Sequence, residues 1–286
     1  MPDTPAADVR RVRRRFDRCA RGYDDASALA REVAARMLQR LDLVRMQPAR
    51  VLDLGSGPGA VARALLERYP TAQAVALDFS LAMLHAGHAP RPFWAAWRRA
   101  EPRSVCADMA RLPLGGGTFD MVCSNLALEW SDEPGQVMRE VHRVLRRGGL
   151  FMFTTLGPDS LRELRSVAPD AGSHALADMH DIGDALIRHG FADPVMDMER
   201  ITLTYPDVRA LLAELRAGGC TAASRPAAGL RGRAWLGALE RRYRAFERDG
   251  RVPASFEIVY GHAWKPEQPR TIEDGRAVIR VLPRNR

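Results

Sequence analysis

The chain has 286 residues and 46% hydrophobic composition, enough for one large α/β domain with a proper core. No apolar run approaches membrane-spanning length, and the arginine-rich beginning lacks the apolar stretch of a signal peptide, so no membrane association and a cytoplasmic location are expected. The net charge of +8 and pI near 10.0 invite a nucleic-acid reading. Yet Lys265 is the only lysine among 43 basic residues, a usage that fits GC-rich coding better than phosphate recognition, and no nucleic-acid partner is expected.

In chain order, Val9 to Ala20 and Ala26 to Leu43 have helical periodicity, broken at Arg21-Gly22-Tyr23-Asp24. The run Arg10, Arg11, Arg13, Arg14, Arg15 is a solvated helix face or a dock for an acidic partner. Then come strand Val51–Leu54, helix Ala60–Tyr69, strand Ala74–Asp78 and helix Leu81–Ala86, followed by a connection through Trp94 and Trp97. Strands Val105–Ala107 and Met121–Ser124, helix Gly135–Leu145 and strand Leu150–Thr155 complete an alternation that predicts a parallel sheet with right-handed crossovers. Beyond Gly157, Pro158–Val167, Asp181–His189, Val208–Ala217 and Ala234–Asp249 read as helices, and Val195–Tyr205 and Ser255–Trp264 as strands. The tail after Pro266 has no assignment. Cys19, Cys106, Cys123 and Cys220 are isolated, so neither a disulfide framework nor a metal site is expected.

The chemistry is concentrated at strand ends. Val51 to Gly59 reads V-L-D-L-G-S-G-P-G, with Asp53 in the strand and Ser56 between glycines. Gly55, Gly57 and Gly59 permit positive φ and close approach of a ligand, over the free N–H groups of the next helix. The G-x-G-x-G spacing, with Pro58 inside it, departs from the dinucleotide fingerprint and argues against NAD. Asp78, followed by Phe79, can accept hydrogen bonds from both ribose hydroxyls of an adenosine cofactor. Asp108, followed by Met109, could accept from an adenine amino group. Another strand terminates at Ser124 and Asn125, so that four strand ends face one crevice. Singly, each piece also has a plain structural reading as a turn, cap or loop.

Together, in this order, these pieces resemble the class I S-adenosylmethionine-dependent methyltransferases. The resemblance implies a Rossmann-like, mostly parallel seven-stranded sheet with helices on both faces, an antiparallel last strand, N-terminal helices and a helical lid insertion. A single domain is expected: cap 1–47, cofactor core 48–157, acceptor side 158–265 and tail 266–286. The cofactor would be S-adenosyl-L-methionine, held by Asp53, Gly55, Ser56, Gly57, Gly59, Asp78, Phe79, Asp108, Met109 and Asn125.

Beyond the cofactor motifs, the chain resembles the malonyl-acyl-carrier-protein O-methyltransferases of biotin synthesis. The matching segments include Phe16-Asp17-Arg18, Gly22-Tyr23-Asp24, Ser124 to Trp130, Thr154 to Leu164 and Phe256 to Trp264. The resemblance implies methyl transfer to the free carboxylate of malonyl carried on acyl carrier protein, or of malonyl-coenzyme A. It places Tyr23 near the reacting sulfur as the catalytic side chain, with Arg18, Trp130 and His174 as weaker acceptor-side candidates. The chain departs from the family pattern at Gly172 to Ala177, which is shorter and lacks an arginine. Three readings compete with this one: a relative resembling the arginine-hydroxylating complex I assembly factor, a small-molecule or quinone methyltransferase, and a noncatalytic binding module.

Overall fold

A computed structural model describes residues 9–87, 101–169, 176–219 and 232–268, with the backbone of 272–273 and 276–277. Helices α1 (Val9–Cys19) and α2 (Ala28–Arg40) precede the sheet. The core then runs β1 (Arg50–Leu54), α3 (Ala60–Arg68), β2 (Gln73–Asp78), α4 (Leu81–Ala86), β3 (Arg103–Cys106), β4 (Phe119–Asn125), α5 (Pro134–Val144) and β5 (Leu145–Leu156). The remainder is α6 (Arg162–Val167), α7 (Met179–Arg188), β6 (Ala192–Tyr205), α8 (Val208–Ala217), α9 (Arg233–Tyr243) and β7 (Val252–Trp264), followed by the short strands β8 (Ile272–Glu273) and β9 (Arg276–Ala277).

The seven-stranded sheet has the order β3-β2-β1-β4-β5-β7-β6. β1 to β5 pair in parallel, and β7 runs antiparallel to both neighbours. The expected Rossmann-like class I methyltransferase architecture is present. Period-two alternation explains why helices cover both faces. Val51, Met121, Cys123, Leu150 and Met152 face one core with α2, α3 and α8. Their chain neighbours Leu52, Val122, Phe151 and Phe153 face the other with α5 and α7.

Several boundaries differ from the periodicity, β6 and β7 for instance each starting three residues early, at Ala192 and Val252, and three others are instructive. The helix expected from Pro158 starts only at Arg162. The chain before it is tied to β7, with Gly157 N–H donating to Glu257 and Leu161 N–H to Ser255, while Leu161 takes φ +56°. A helix starting at Pro158 would need the Leu161 N–H for its first i→i−4 bond, to Gly157, and that N–H is spent on Ser255. β5 starts at Leu145 instead of Leu150, because Leu145 pairs with Phe119 across an irregularity. α9 stops at Tyr243, and a 3₁₀ turn over Arg244–Phe246 leads toward β7.

The connection through Trp94 and Trp97, Cys220 and His174 lie outside the described residues. Among the described residues no helix is long and apolar enough to cross a membrane, and no cluster of His, Cys, Asp and Glu has the makings of a metal site.

Candidate active site

The carboxyl ends of β1, β2 and β3 and the turn after β4 border a crevice of about 360 Å³. Gly55, Asp78, Phe79, Asp108, Met109 and Trp130 are among its walls. The loop above β1 is built around two aspartates. Gly55 (φ +72°), Gly57 (φ +52°) and Gly59 (φ +81°) all take left-handed backbone, and a Cβ on Gly55 would overlap that of Ala127. Glycine is required at that point by both conformation and space.

Gly59 begins α3 without a side-chain cap. Asp53, reaching over from β1, takes that role: its Oδ2 accepts the N–H of Ala62 at 2.8 Å. Asp53 is 1% exposed, and burial pushes its pKa up to about 7 against the lowering effect of the Ala62 N–H. An acid with a raised folded pKa binds its proton more tightly in the native state. The folded chain therefore loses stability as pH rises between the unfolded value near 4 and about 7, by at most about 1.4 kcal/mol per pH unit. Asp53→Asn preserves an acceptor for Ala62. Thermal unfolding of the cofactor-free protein should show the variant gaining on wild type between about pH 4.5 and 7.5; a constant difference would mean that Asp53 does not titrate in this window.

Asp78 closes β2 with both oxygens engaged. Oδ2 accepts Gly57 N–H at 2.9 Å and Oδ1 accepts Ser80 N–H at 2.8 Å. It is 6% exposed, and burial raises its pKa to about 6, opposed by those two N–H groups and assisted by the Asp17 carboxylate. Asp78 therefore holds the tip of the glycine loop as well as facing the crevice. Helix α4 is capped not by Asp78 but by Ser80, whose Oγ accepts Met83 N–H of α4 and donates to Asp17 of α1 at 2.6 Å. Asp108 accepts the N–H of Ala110 in the loop beyond β3. Ser56 donates its backbone N–H to Leu77 at 3.0 Å, binding the glycine loop to β2.

Helix α1 roofs the crevice. Phe16 meets Trp130 edge-on at 5.5 Å and Phe79 at 5.9 Å between ring centroids, forming a small apolar cluster with Val12, Ala20 and Met83. Across Trp130 lies a second cavity of about 590 Å³. Tyr23 and Ser27 border it from the segment between α1 and α2, Glu129 from the turn after β4, Phe256 from β7, Leu203 from β6 and Glu214 from α8. The Tyr23 ring stands 3.7 Å from where a Cβ on Gly57 would be. Tyr23 thus joins the glycine loop to this cavity, and Trp130 is common to both spaces.

Asn125 and Arg18 sit differently from the other residues expected at the site. Asn125 donates through Nδ2 to Ala30 O at 3.0 Å and accepts from Thr154 Oγ at 2.9 Å. Its amide fastens α2 across the end of β4 instead of turning into the crevice. Arg18 is exposed on α1 and borders neither space.

Periodicity did not reveal Leu126, which takes φ +48° immediately after β4 and lines the second cavity. Nor did it reveal Glu129. Burial pushes the Glu129 pKa up to about 7, with its own backbone N–H and the Thr155 hydroxyl pulling the other way. The available signal was an acidic residue within Leu126-Ala127-Leu128-Glu129-Trp130, an otherwise apolar stretch following a strand.

A methyltransferase-domain family matches residues 52–153. The chain is similar to the malonyl-[acyl-carrier protein] O-methyltransferase of Laribacter hongkongensis, with 49% identity covering 99% of each chain. It is also similar to the protein of that name from Gallionella capsiferriformans, with 48% identity covering 96% of each. Among solved structures, the YcgJ protein of Bacillus subtilis superposes with a TM-score of 0.59 at 15% identity, covering 82% of this chain and 99% of that one.

Proposed function

We propose that this chain, which belongs to the malonyl-[acyl-carrier protein] O-methyltransferase family, methylates the free carboxylate of a malonyl group carried on acyl carrier protein. The observation that best supports this is the pair of adjoining spaces, a crevice over the glycine loop and an apolar cavity beyond Trp130, with Tyr23 near their junction. In the biotin pathway implied by the family resemblance, the ester would mask the charge while the chain is extended.

S-adenosyl-L-methionine, when bound, supplies an electrophilic methyl on a sulfonium. The residues present suit it. Gly55 lets the loop close against Ala127 and present its backbone to the crevice, Asp78 offers a carboxylate to ribose hydroxyls, and Phe79 and Met109 provide apolar walls for a purine. The acceptor carboxylate is already ionised at neutral pH, so no residue need act as general base. What the chain supplies is alignment and exclusion of water. Phe16, Trp130, Leu203 and Phe256 make a dry wall around charges that neutralise one another as the methyl moves.

Tyr23 is assigned to orientation at the junction. Tyr23→Phe should keep cofactor affinity within about twofold and lower kcat about tenfold, the loss expected for one aligned hydrogen bond at the reacting groups. Equilibrium binding and single-turnover rates separate the two effects, and an unchanged kcat would reduce Tyr23 to packing.

The direct test incubates the protein with S-adenosylmethionine and malonyl-acyl carrier protein. A base-labile ester one methyl heavier than the starting malonyl group supports the reading, and absence of transfer despite cofactor binding overturns it. The carrier is acidic, and the exposed Arg10, Arg13 and Arg14 of α1 face solvent. The carrier-dependent rate should therefore fall with added salt.

A further inference from the structure

We infer that Glu129, carrying a proton, donates to one oxygen of the acceptor carboxylate and leaves the other oxygen free to receive the methyl group. The inference rests on the malonyl reading above and assigns the recognition group that reading lacks.

Among the described residues bordering the larger cavity there is no arginine, lysine or histidine. Its titratable groups are Glu129 from the turn after β4, Tyr23 from the cap, Tyr205 from β6 and Glu214 from α8. An anionic acceptor entering this space meets no cation and two acidic side chains. Two ionised carboxylates cannot share a buried apolar pocket at contact distance, since Coulomb repulsion and desolvation both oppose it. One proton held between them resolves the conflict, as in paired acids elsewhere.

Glu129 is placed to carry that proton. It shares the cavity with Tyr23 and Trp130, and one of its oxygens, Oε2, accepts the Thr155 hydroxyl at 3.2 Å. That contact ties the carboxyl to β5 at the wall of the cavity. Burial already raises the group's pKa to about 7 before any anion arrives. A neutral acid is also the suitable donor chemically. A bidentate arginine would engage both acceptor oxygens and blunt the nucleophile, whereas a single O–H engages one and orients the other. Methyl transfer to a carboxylate moves no proton, so Glu129 keeps its hydrogen throughout.

The linkage is measurable without turnover. Calorimetry in buffers of different ionisation enthalpy, at about pH 8, with the protein saturated in S-adenosylhomocysteine, compares malonyl-carrier with acetyl-carrier protein. Wild type should take up close to one proton per malonyl-carrier bound and none per acetyl-carrier. Glu129→Gln, which keeps an N–H donor, should bind malonyl-carrier within about threefold and take up none. In turnover, the wild-type kcat/KM should fall by up to tenfold per unit above about pH 7, and the Gln variant should lose that fall. Malonyl binding without extra proton uptake, or uptake that persists in Glu129→Gln, overturns this inference and leaves the acceptor reading standing. Equal affinity of wild type for malonyl-carrier and acetyl-carrier overturns both.

Discussion

Replacing Asp78 by alanine is expected to weaken S-adenosylmethionine binding by at least about 100-fold. The carboxylate accepts the N–H groups of Gly57 and Ser80 from a site only 6% exposed to solvent. Its removal leaves two donors unpaired, at roughly 1–3 kcal/mol each, and a tenfold change in binding corresponds to about 1.4 kcal/mol. The ribose would lose its acceptor in the same substitution. Asparagine should recover little, since its amide presents a donor to one of two N–H groups that both need an acceptor. Isothermal titration on the folded variants decides the matter. Cofactor affinity within about threefold of wild type would remove Asp78 from the site. The ionised carboxylate is the competent form, and burial raises its pKa to about 6. Wild-type affinity should therefore decline below about pH 6, whereas the alanine variant should show no such decline.

The second large effect is expected at Gly55. A Cβ there would overlap the Cβ of Ala127, with Met109 Cε at 3.5 Å on another side, while the backbone sits at φ +72°. Left-handed backbone costs an ordinary residue about 1–2 kcal/mol, and overpacking about 1–3 kcal/mol more. Relief requires the loop to lift from the β4 end, which displaces the crevice wall itself. Gly55→Ala should lower the unfolding free energy of the cofactor-free protein by about 2–4 kcal/mol and abolish detectable cofactor binding. Gly57→Ala is the internal comparison. Its Cβ would meet only the Tyr23 ring, at ordinary contact distance, so its cofactor-free stability should drop by about 1 kcal/mol. Equal destabilisation by the two variants would mean that backbone conformation, and not the Ala127 contact, makes glycine necessary at Gly55.

Both effects are local consequences of a motif, and motifs were the legible part of this chain. The alternation of Val51 with Leu52, and of Phe151 with Met152, placed strands in the right order because strands buried on both faces leave long apolar runs. Helix α8 and helix α4 coincided with their periodic segments residue for residue. Where α6 starts late, distant partners had captured the backbone, Ser255 and Glu257 of β7. No local pattern carries such information, because the competing hydrogen bonds come from residues nearly a hundred positions away.

The same division runs through the site. That Gly55, Asp78 and Asp108 would meet at one crevice was readable because glycine spacing and strand-terminal acids are properties of short segments. Asp53 was readable as part of the loop motif, but its work as a remote cap for Ala62 was not. Asn125 looked like a crevice residue at a strand end until its amide was found between Ala30 and Thr154.

The order of elements, the glycine loop with its acidic partners, and the family to which the chain belongs all follow from residue type and spacing along single segments. Three features come from the packing of distant segments: Phe16 meets Trp130, Tyr23 reaches the glycine loop, and Glu129 shares with Glu214 a cavity that has no cation among its described lining residues. Burial and the company of other charges depend on which distant segments the fold brings together, and those two quantities govern the protonation of a carboxyl group.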